Sequence, residues 1–585
     1  MRSALLSFGQ TVGRAALFSG RRLWHHKSVL IPHLVAFAIM GSTESTLTAM
    51  VAFLLAWGLL NFLWLVLLRR PAAAGMLSLV MMTVLVLLSQ LKYHVLMMTA
   101  SFVDLMIIDT DTVTFLFTIF PALRWIVALS AIAFVPLLAL AWRFDTIRVQ
   151  RVTAFSLALL CLGGLTALAK HSPMEPFVAY YGGNHVSNFA RSGVDAVSEL
   201  MSHGLMESDP GVAERLKSVE GSTCRPATKP PHIILVHDES SFDIRMAPGI
   251  KLPSGYGSHF LSFDGQERRF LVESAGGPSW YTEYNVLAGL SARSFGRFAY
   301  FVTRIAAGRV KRGLPAALGR CGYRTFSLYP ALGAFMSARS FQATTGVQRF
   351  FDQHDLGTRR IEPDGFFYDA AARMIENEHA HSPMFVFIYL AANHFPWDYR
   401  YRPDLMPQCQ DPGNSPLVDE YLRRQAMSAQ DYAGFLTRLR PQFPDESFLL
   451  IRFGDHQPDF AAALIEPDLA ENAVARRLMA YDPRYFTTYY AIDAINFTPA
   501  DLSSALDTIE GPYLPLVVQE AAGLPLDSSF LEQKKILTRC KGLFYACAGG
   551  AEARHFNRML IDAGLITNCS VPGRTIQRGR AKSRF

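Results

Sequence analysis

Apolar residues crowd into the first third of this chain, and that segregation constrains its fold more than any other feature. Residues 28–43, 46–68, 74–96, 121–142 and 151–170 are runs almost without charge. In hydrocarbon no water satisfies a backbone N–H or C=O, so such a run must close its hydrogen bonds on itself as a helix. About 20 residues cross a bilayer; four of the runs meet that length and 28–43 is the shortest. We therefore expect a cytoplasmic leader over 1–27 and a five-span helical domain over 28–172. The leader carries Arg2, Arg14, Arg21, Arg22 and Lys27 and no acid. Arg69-Arg70 follow the second run, and Arg143, Arg148 and Arg151 follow the fourth. Basic loops stay inside, which puts the N-terminus inside and the C-terminus outside. The stretch 97–120, with Asp104, Asp109 and Asp111, then falls at the outer interface. A buried polar path through Asp109 and Asp111 is the alternative for that stretch.

Beyond 172 the composition turns ordinary. Residues 173–231 read as an interfacial helix (184–200) and a Pro-rich linker, 232–567 as one globular domain, and 568–585 as a basic tail. About 350 residues is large for one core but ordinary for an α/β enzyme. The net charge of +7 lies partly in loops flanking the apolar runs. Attraction to anionic lipid accounts for it, and no nucleic-acid partner is expected. Cys224, Cys321, Cys409, Cys540, Cys547 and Cys569 all follow the last apolar run. None forms a CxxC pair, so zinc-ribbon spacing is absent. Disulfides in an oxidising compartment fit them, and Cys540 and Cys547 are near enough in sequence to close a small loop.

In the globular part, short β-rich runs alternate with helical stretches. The runs are Ile233–Val236, Phe270–Val272, Tyr323–Leu328, Met384–Leu390 and Phe448–Phe453. Continuous apolar strands separated by helices predict a mostly parallel sheet covered on both faces. Ligands in such sheets lie beyond the carboxyl ends of the strands. His237-Asp238-Glu239-Ser240 follows the first run, and Gly276-Gly277-Pro278-Ser279 follows the second. Arg339 lies beyond the third, Asn393-His394-Phe395-Pro396 follows the fourth, and Gly454-Asp455-His456 follows the fifth. Any one of these is compatible with a turn or a helix cap. Their recurrence at the same end of successive strands points to one site.

Ser279 sits on a glycine-rich strand-to-helix turn, where helix N–H groups face outward and favour an anion. Glu239, Asp455 and His456, with the Ser279 oxygen, make a four-ligand mixed oxygen and nitrogen set suited to one divalent cation. Mn²⁺ is expected there, and Zn²⁺ or Mg²⁺ is compatible. A cation so held would activate the serine hydroxyl as a nucleophile and polarise a phosphoryl oxygen. Arg339 and His394 are candidates to hold the remaining phosphate oxygens.

The ordered motifs resemble those of the lipoteichoic acid synthase group, sulfatase-like members of the alkaline phosphatase superfamily that include periplasmic glucan phosphoglycerol transferases. They are a strand then Glu239-Ser240, the Ser279-x-x-x-Glu283-aromatic segment, Asn393-His394-x-Pro396 and Gly454-Asp455-His456, behind apolar spans. The resemblance implies a sulfatase-like catalytic domain over 232–567, a metal site of Glu239, Ser279, Asp455 and His456, and Ser279 as nucleophile. It implies substrate contacts from His394, Arg339 and the neighbouring Trp280. It also implies a bacterial inner-membrane enzyme, with its domain in the periplasm, moving glycerol phosphate from phosphatidylglycerol to an envelope glycan through a phospho-serine. Two departures stand out: many relatives carry threonine where this chain has Ser279, and the residues before Arg339 match loosely. The rival transfers phosphoethanolamine to lipid A or glycan; that branch shows Gly-Glu-Thr where this chain has Asp238-Glu239-Ser240. A sulfatase signature is absent, since Trp280-Tyr281-Thr282 follows Ser279. A metal-free scaffold on the same fold is the reading from a different class.

Overall fold

The computed structural model describes residues 27–567 except 97, 107, 109, 173–181, 213–214, 217–223, 225, 227–228, 380 and 407–410. The leader before 27, the tail from 568, Asp109, Cys409 and Cys569 lie outside the described residues. The chain divides into two compact units, one of Met1–Asp109 with Leu116–Ser202 and one of Thr110–Phe115 with His203–Phe585.

In the first unit the apolar runs are helices: α1 (Lys27–Thr43), α2 (Leu47–Leu68), α3 (Pro71–Leu96), α4 (Ala122–Phe144) and α5 (Arg151–His171). Four of them, α2 to α5, are long and apolar enough to cross a membrane, while α1 is shorter. Gly164 of α5 lies where a Cβ would stand 3.0 Å from Leu55, so a small residue lets α2 and α5 approach. Helix ends are satisfied by carboxylates. Asp145 accepts from the Ala72 N–H at the start of α3 at 2.7 Å. Glu44 accepts from the Val186 and Ser187 N–H groups at 3.1 and 3.4 Å, which begin helix α6 (His185–His203). Orphan N–H groups at a helix start favour an anionic acceptor. Asp104 pairs with Lys92 at 2.9 Å.

The second unit is built on an eight-stranded sheet. Its strands are β1 (His232–Asp238), β2 (Arg268–Leu271), β3 (Arg324–Leu328), β4 (Arg349–Phe351), β5 (Met384–Tyr389), β6 (Phe448–Gly454), β7 (Thr487–Ile495) and β8 (Thr508–Glu510). They lie in the order β4-β3-β5-β1-β6-β7-β2-β8. Only β7 runs against its neighbours β6 and β2; every other pairing is parallel. The central strands β1, β5 and β6 are buried along their whole length, as their unbroken apolar runs require for a sheet covered on both faces. On one face Ile234, Val386, Ile388 and Leu450 pack with Phe367 and Ile375 of α8 (Asp364–Glu378) and Phe435 and Leu439 of α9 (Pro416–Gln442). Helix α7 (Ser279–Ala288) follows β2.

The C-terminal segment belongs to the same unit. Asp527 caps helix α10 (Ser528–Cys540) by accepting from the Ser529 and Phe530 N–H groups. Buried Arg312 donates to the Ala288 and Gly289 carbonyls at the end of α7, at 2.7 and 3.1 Å, and to Gln533 of α10. Gln533 in turn donates to Gly289 and Pro512 carbonyls, each at 2.9 Å. Disulfides join Cys224 to Cys321 and Cys540 to Cys547. Glu510 accepts from three N–H groups of the Cys540–Cys547 loop, those of Phe544, Tyr545 and Ala546.

Arg312→Met keeps the bulk and removes the donors that join α10 to α7. Leaving buried carbonyls unpaired costs about 1–3 kcal/mol. The substitution is expected to lower the unfolding temperature measurably, whereas Arg359→Met, at an exposed position, leaves it unchanged. Equal midpoints for both would show that this junction does not stabilise the domain.

Candidate active site

The parallel strands all end on one side, and the polar motifs meet there. Glu239 follows β1, and Asp455 and His456 follow its neighbour β6. Two glycines let the backbones converge. A Cβ on Gly276, whose φ is +66°, would stand 2.9 Å from the Asp459 Cα. A Cβ on Gly454 would stand 1.8 Å from the Ser241 carbonyl oxygen, so the turn after β1 and the end of β6 touch only because that residue is glycine.

Ser279 is the first residue of α7. Its Oγ lies 3.2 Å from Glu239 Oε2 and 3.2 Å from His456 Nε2. His456 Nε2 lies 3.4 Å from Glu239 Oε1 and 3.5 Å from Asp455 Oδ2. All four residues are buried. Backbone N–H groups fix one carboxylate and a neighbouring hydroxyl the other. Asp455 Oδ1 accepts from the Ser240 N–H at 2.7 Å and the His456 N–H at 2.8 Å. Ser240 reaches that position with φ at +51°, in the left-handed region, and its hydroxyl donates to Glu239 Oε1 at 2.9 Å. Thr282, one turn into α7, donates to the Asp455 carbonyl at 2.6 Å. His456 Nδ1 faces the Gln457 carbonyl at 2.8 Å, which leaves Nε2 turned to the cluster.

Burial on its own would raise the Asp455 carboxyl; the charge of His456 and the nearby His237 outweigh it and hold the group below the ordinary carboxylate range. Burial would likewise lower His456, but Asp455 and Glu239 raise it. Two buried carboxylates thus call for positive charge at this point. Asp455 Oδ2, fully buried, has no hydrogen-bond partner. A buried carboxylate oxygen without a partner is costly, and a divalent cation is what this donor set fits.

The three residues expected at the substrate also have partners within the chain. The Arg339 guanidinium donates to Asp352 and Asp355 at 2.8 Å each and to the Phe350 carbonyl at 3.0 Å. His394 lies half-buried on the loop after β5, its Nδ1 2.8 Å from the Phe395 carbonyl. Buried Arg424 of α9 pins that loop by donating to the His394, Pro396 and Tyr399 carbonyls. Trp280 is buried, its indole N–H donating to the Tyr300 carbonyl at 2.7 Å and its ring edge-on to Tyr300 and Phe335. It forms wall packing next to Ser279.

The structure gives contacts to further residues around the cluster, to which the sequence assigned no role. His237 lies 3.1 Å from Asp455 Oδ2. On the other face of β1, Asp238 accepts from the Tyr489 hydroxyl at 2.5 Å and lies 3.0 Å from His259 Nε2, while Arg452 lies 3.2 Å from His259 Nδ1. His237 and Asp238 belong to the polar stretch that follows the first apolar run, whereas nothing local marked His259, Tyr489 or Arg452. One turn below Ser279, Glu283 is fully buried and accepts from Gln342 at 2.8 Å.

Burial pushes the Glu283 carboxyl from 4.5 up to about 8, against the opposing Gln342 hydrogen bond. Its folded value is above its unfolded one, so the stability it contributes is present below about pH 4.5 and lost as pH rises through about 8. Glu283→Gln is expected to remove that dependence and to gain a few kcal/mol over the parent at pH 8. Unfolding midpoints across that range check it, and parallel pH curves for the two proteins would contradict it.

Residues 276–484 match the Sulfatase family model. No curated protein matches the chain. Among solved structures, the lipoteichoic acid synthase LtaP of Listeria monocytogenes is 14% identical, over 53% of this chain and 78% of its own, with a TM-score of 0.39. The Streptococcus pyogenes phosphoglycerol transferase GacH, in complex with sn-glycerol-1-phosphate, is 15% identical, over 58% of this chain and 87% of its own, at 0.44. The lipooligosaccharide phosphoethanolamine transferase A (EptA) of Neisseria meningitidis is 15% identical, over 84% of this chain and 98% of its own, at 0.42. The stretch that matches the Sulfatase model follows, in sequence, helices long and apolar enough to cross a membrane.

Proposed function

We propose that this chain is a membrane-anchored, metal-dependent phosphotransferase that moves glycerol phosphate from phosphatidylglycerol to an envelope glycan. The observation that carries the reading is the placement of Ser279 Oγ, at a helix N-terminus and 3.2 Å from both Glu239 and His456. Glu239, Asp455, His456 and Ser279 would hold the cation, Mn²⁺ by preference. When bound, such an ion lowers the hydroxyl pKa of a serine it touches and withdraws charge from a phosphoryl oxygen.

The chain's own groups supply the rest. Ser279 Oγ forms a bond to the lipid phosphorus, the bond to the diacylglycerol oxygen breaks, and diacylglycerol leaves with the serine proton. The N–H groups opening α7 face the phosphoryl oxygens and favour their charge. An acceptor hydroxyl of the glycan then attacks the phospho-serine, and Ser279 recovers a proton. His394, on the loop pinned by Arg424, is assigned to the glycerol phosphate. Helices α2 to α5 tether the domain at the bilayer, where the donor is concentrated. Two disulfides support an extracytoplasmic domain, since such bonds persist in oxidising compartments. The inner membrane and periplasm are the location that fits.

The test is diacylglycerol release from vesicles by the full chain with Mn²⁺. Phosphatidylglycerol is expected to be consumed in preference to phosphatidylethanolamine, and Ser279→Ala to lose at least about 10³-fold in rate, as loss of a nucleophile does. Release from phosphatidylethanolamine alone would establish the phosphoethanolamine reading. Release undiminished in Ser279→Ala would remove the serine from the mechanism.

A further inference from the structure

One buried imidazole at the cluster stands outside the four-residue set. His237 closes β1 two residues before Glu239 and is fully buried. Its ring is stacked on Tyr389 with centroids 3.8 Å apart and planes at 14°. Phe453 and Phe387 meet it edge-on at 5.1 and 6.2 Å. Aromatic groups on the two neighbouring strands, β5 and β6, therefore fix the plane in which its nitrogens lie.

Nε2 is 3.1 Å from Asp455 Oδ2, within ion-pair distance. Neither atom, however, has a hydrogen-bond partner of acceptable geometry. A buried imidazole nitrogen and a buried carboxylate oxygen, adjacent and both unpartnered, are costly unless they address a third group. The separation has a meaning of its own. Donors held at right angles about 2.1 Å from one ion stand ~3.0 Å apart, and donors at a tetrahedral angle ~3.4 Å. The other edges of the cluster fall in the same range: 3.2 Å from Ser279 Oγ to Glu239 and to His456, and 3.4 and 3.5 Å from His456 to Glu239 and Asp455. His237, Glu239 and Asp455 each offer one donor atom, all within 4.8 Å of one another.

We infer that His237 is a further metal ligand, so that the cation is held by two imidazoles, two carboxylates and the Ser279 oxygen. This rests on the reading of the cluster as a metal site. It deepens that reading by assigning selectivity: a second imidazole favours transition ions, Co²⁺ and Zn²⁺ most and Mn²⁺ less, over Mg²⁺, which prefers oxygen donors. The stack on Tyr389 holds the imidazole in place, so ligation needs no rearrangement of β1.

The experiment compares the full-length parent in detergent, stripped of metal, with His237→Phe and His237→Asn. Phenylalanine keeps the ring in the Tyr389 stack and removes both nitrogens; asparagine is smaller and supplies a second variant if phenylalanine does not fold. Each is titrated with Mn²⁺, Co²⁺ and Mg²⁺, and the Mn²⁺-loaded form is read by pulsed EPR for imidazole nitrogen couplings. The parent is expected to show two imidazole nitrogens. In the variants we expect one, with Mn²⁺ and Co²⁺ binding weakened more than about tenfold and Mg²⁺ binding changed least. A parent that binds Mn²⁺ with one imidazole, or variants with unaltered affinity and spectrum, would overturn the assignment and leave the four-residue site standing. A parent that binds no divalent metal would overturn both.

Discussion

The site depends on one carboxylate. Asp455 is fully buried, and its two oxygens do different work. Oδ1 receives the backbone N–H groups of Ser240 and His456 at 2.7 and 2.8 Å, which ties the turn after β1 to the end of β6. Oδ2 is left unpartnered at the centre of His237 and His456. Charge-assisted hydrogen bonds to backbone donors hold an anion strongly, so the geometry of one oxygen is fixed by the fold and the other is presented for chemistry. Ser240 adopts its left-handed conformation in making this contact, an arrangement that costs roughly 1–3 kcal/mol and persists where the surroundings enforce it. Gly454 makes the contact sterically available, because any side chain there would collide with Ser241.

From that link the rest of the domain can be followed outward. Thr282 binds the Asp455 carbonyl, so α7 is registered against β6 at its N-terminal end, with Ser279 at the cluster. At the other end of α7, Arg312 and Gln533 join its last carbonyls to α10. The Asp238, His259, Tyr489 and Arg452 network braces the opposite face of β1. The helix carrying the serine is thus held at both ends, and the strand carrying Glu239 on both faces, which is the pre-organisation that transfer to a weak nucleophile requires.

Much of this was legible in the amino-acid sequence. The unbroken apolar runs of β1, β5 and β6 marked the central strands, and the polar groups after them marked the end at which Glu239, Ser279, Asp455 and His456 meet. Strands β4, β7 and β8 escaped notice. The first and last are three residues each, too short for a period to show, and β7 is defined by antiparallel pairing to residues about 40 and 220 positions away in sequence, which no local pattern encodes. Side-chain commitments were also invisible. The pairing of Arg339 with Asp352 and Asp355 could not be read from its place beyond a strand. Nor could the hydrogen bond from the Trp280 N–H to the Tyr300 carbonyl. The segment from 528 onward had no motif; its role emerges only from the buried polar contacts of Gln533 and Glu510.

The central claim is that Ser279 carries the transferred group covalently. It is tested most directly by intact-mass measurement on the full chain after brief exposure to Mn²⁺ and phosphatidylglycerol without a glycan acceptor, followed by peptide mapping. The account predicts a glycerol phosphate adduct on the peptide containing Ser279, absent in Ser279→Ala and discharged when acceptor is added. An unmodified Ser279 peptide from protein that is at the same time releasing diacylglycerol would contradict it.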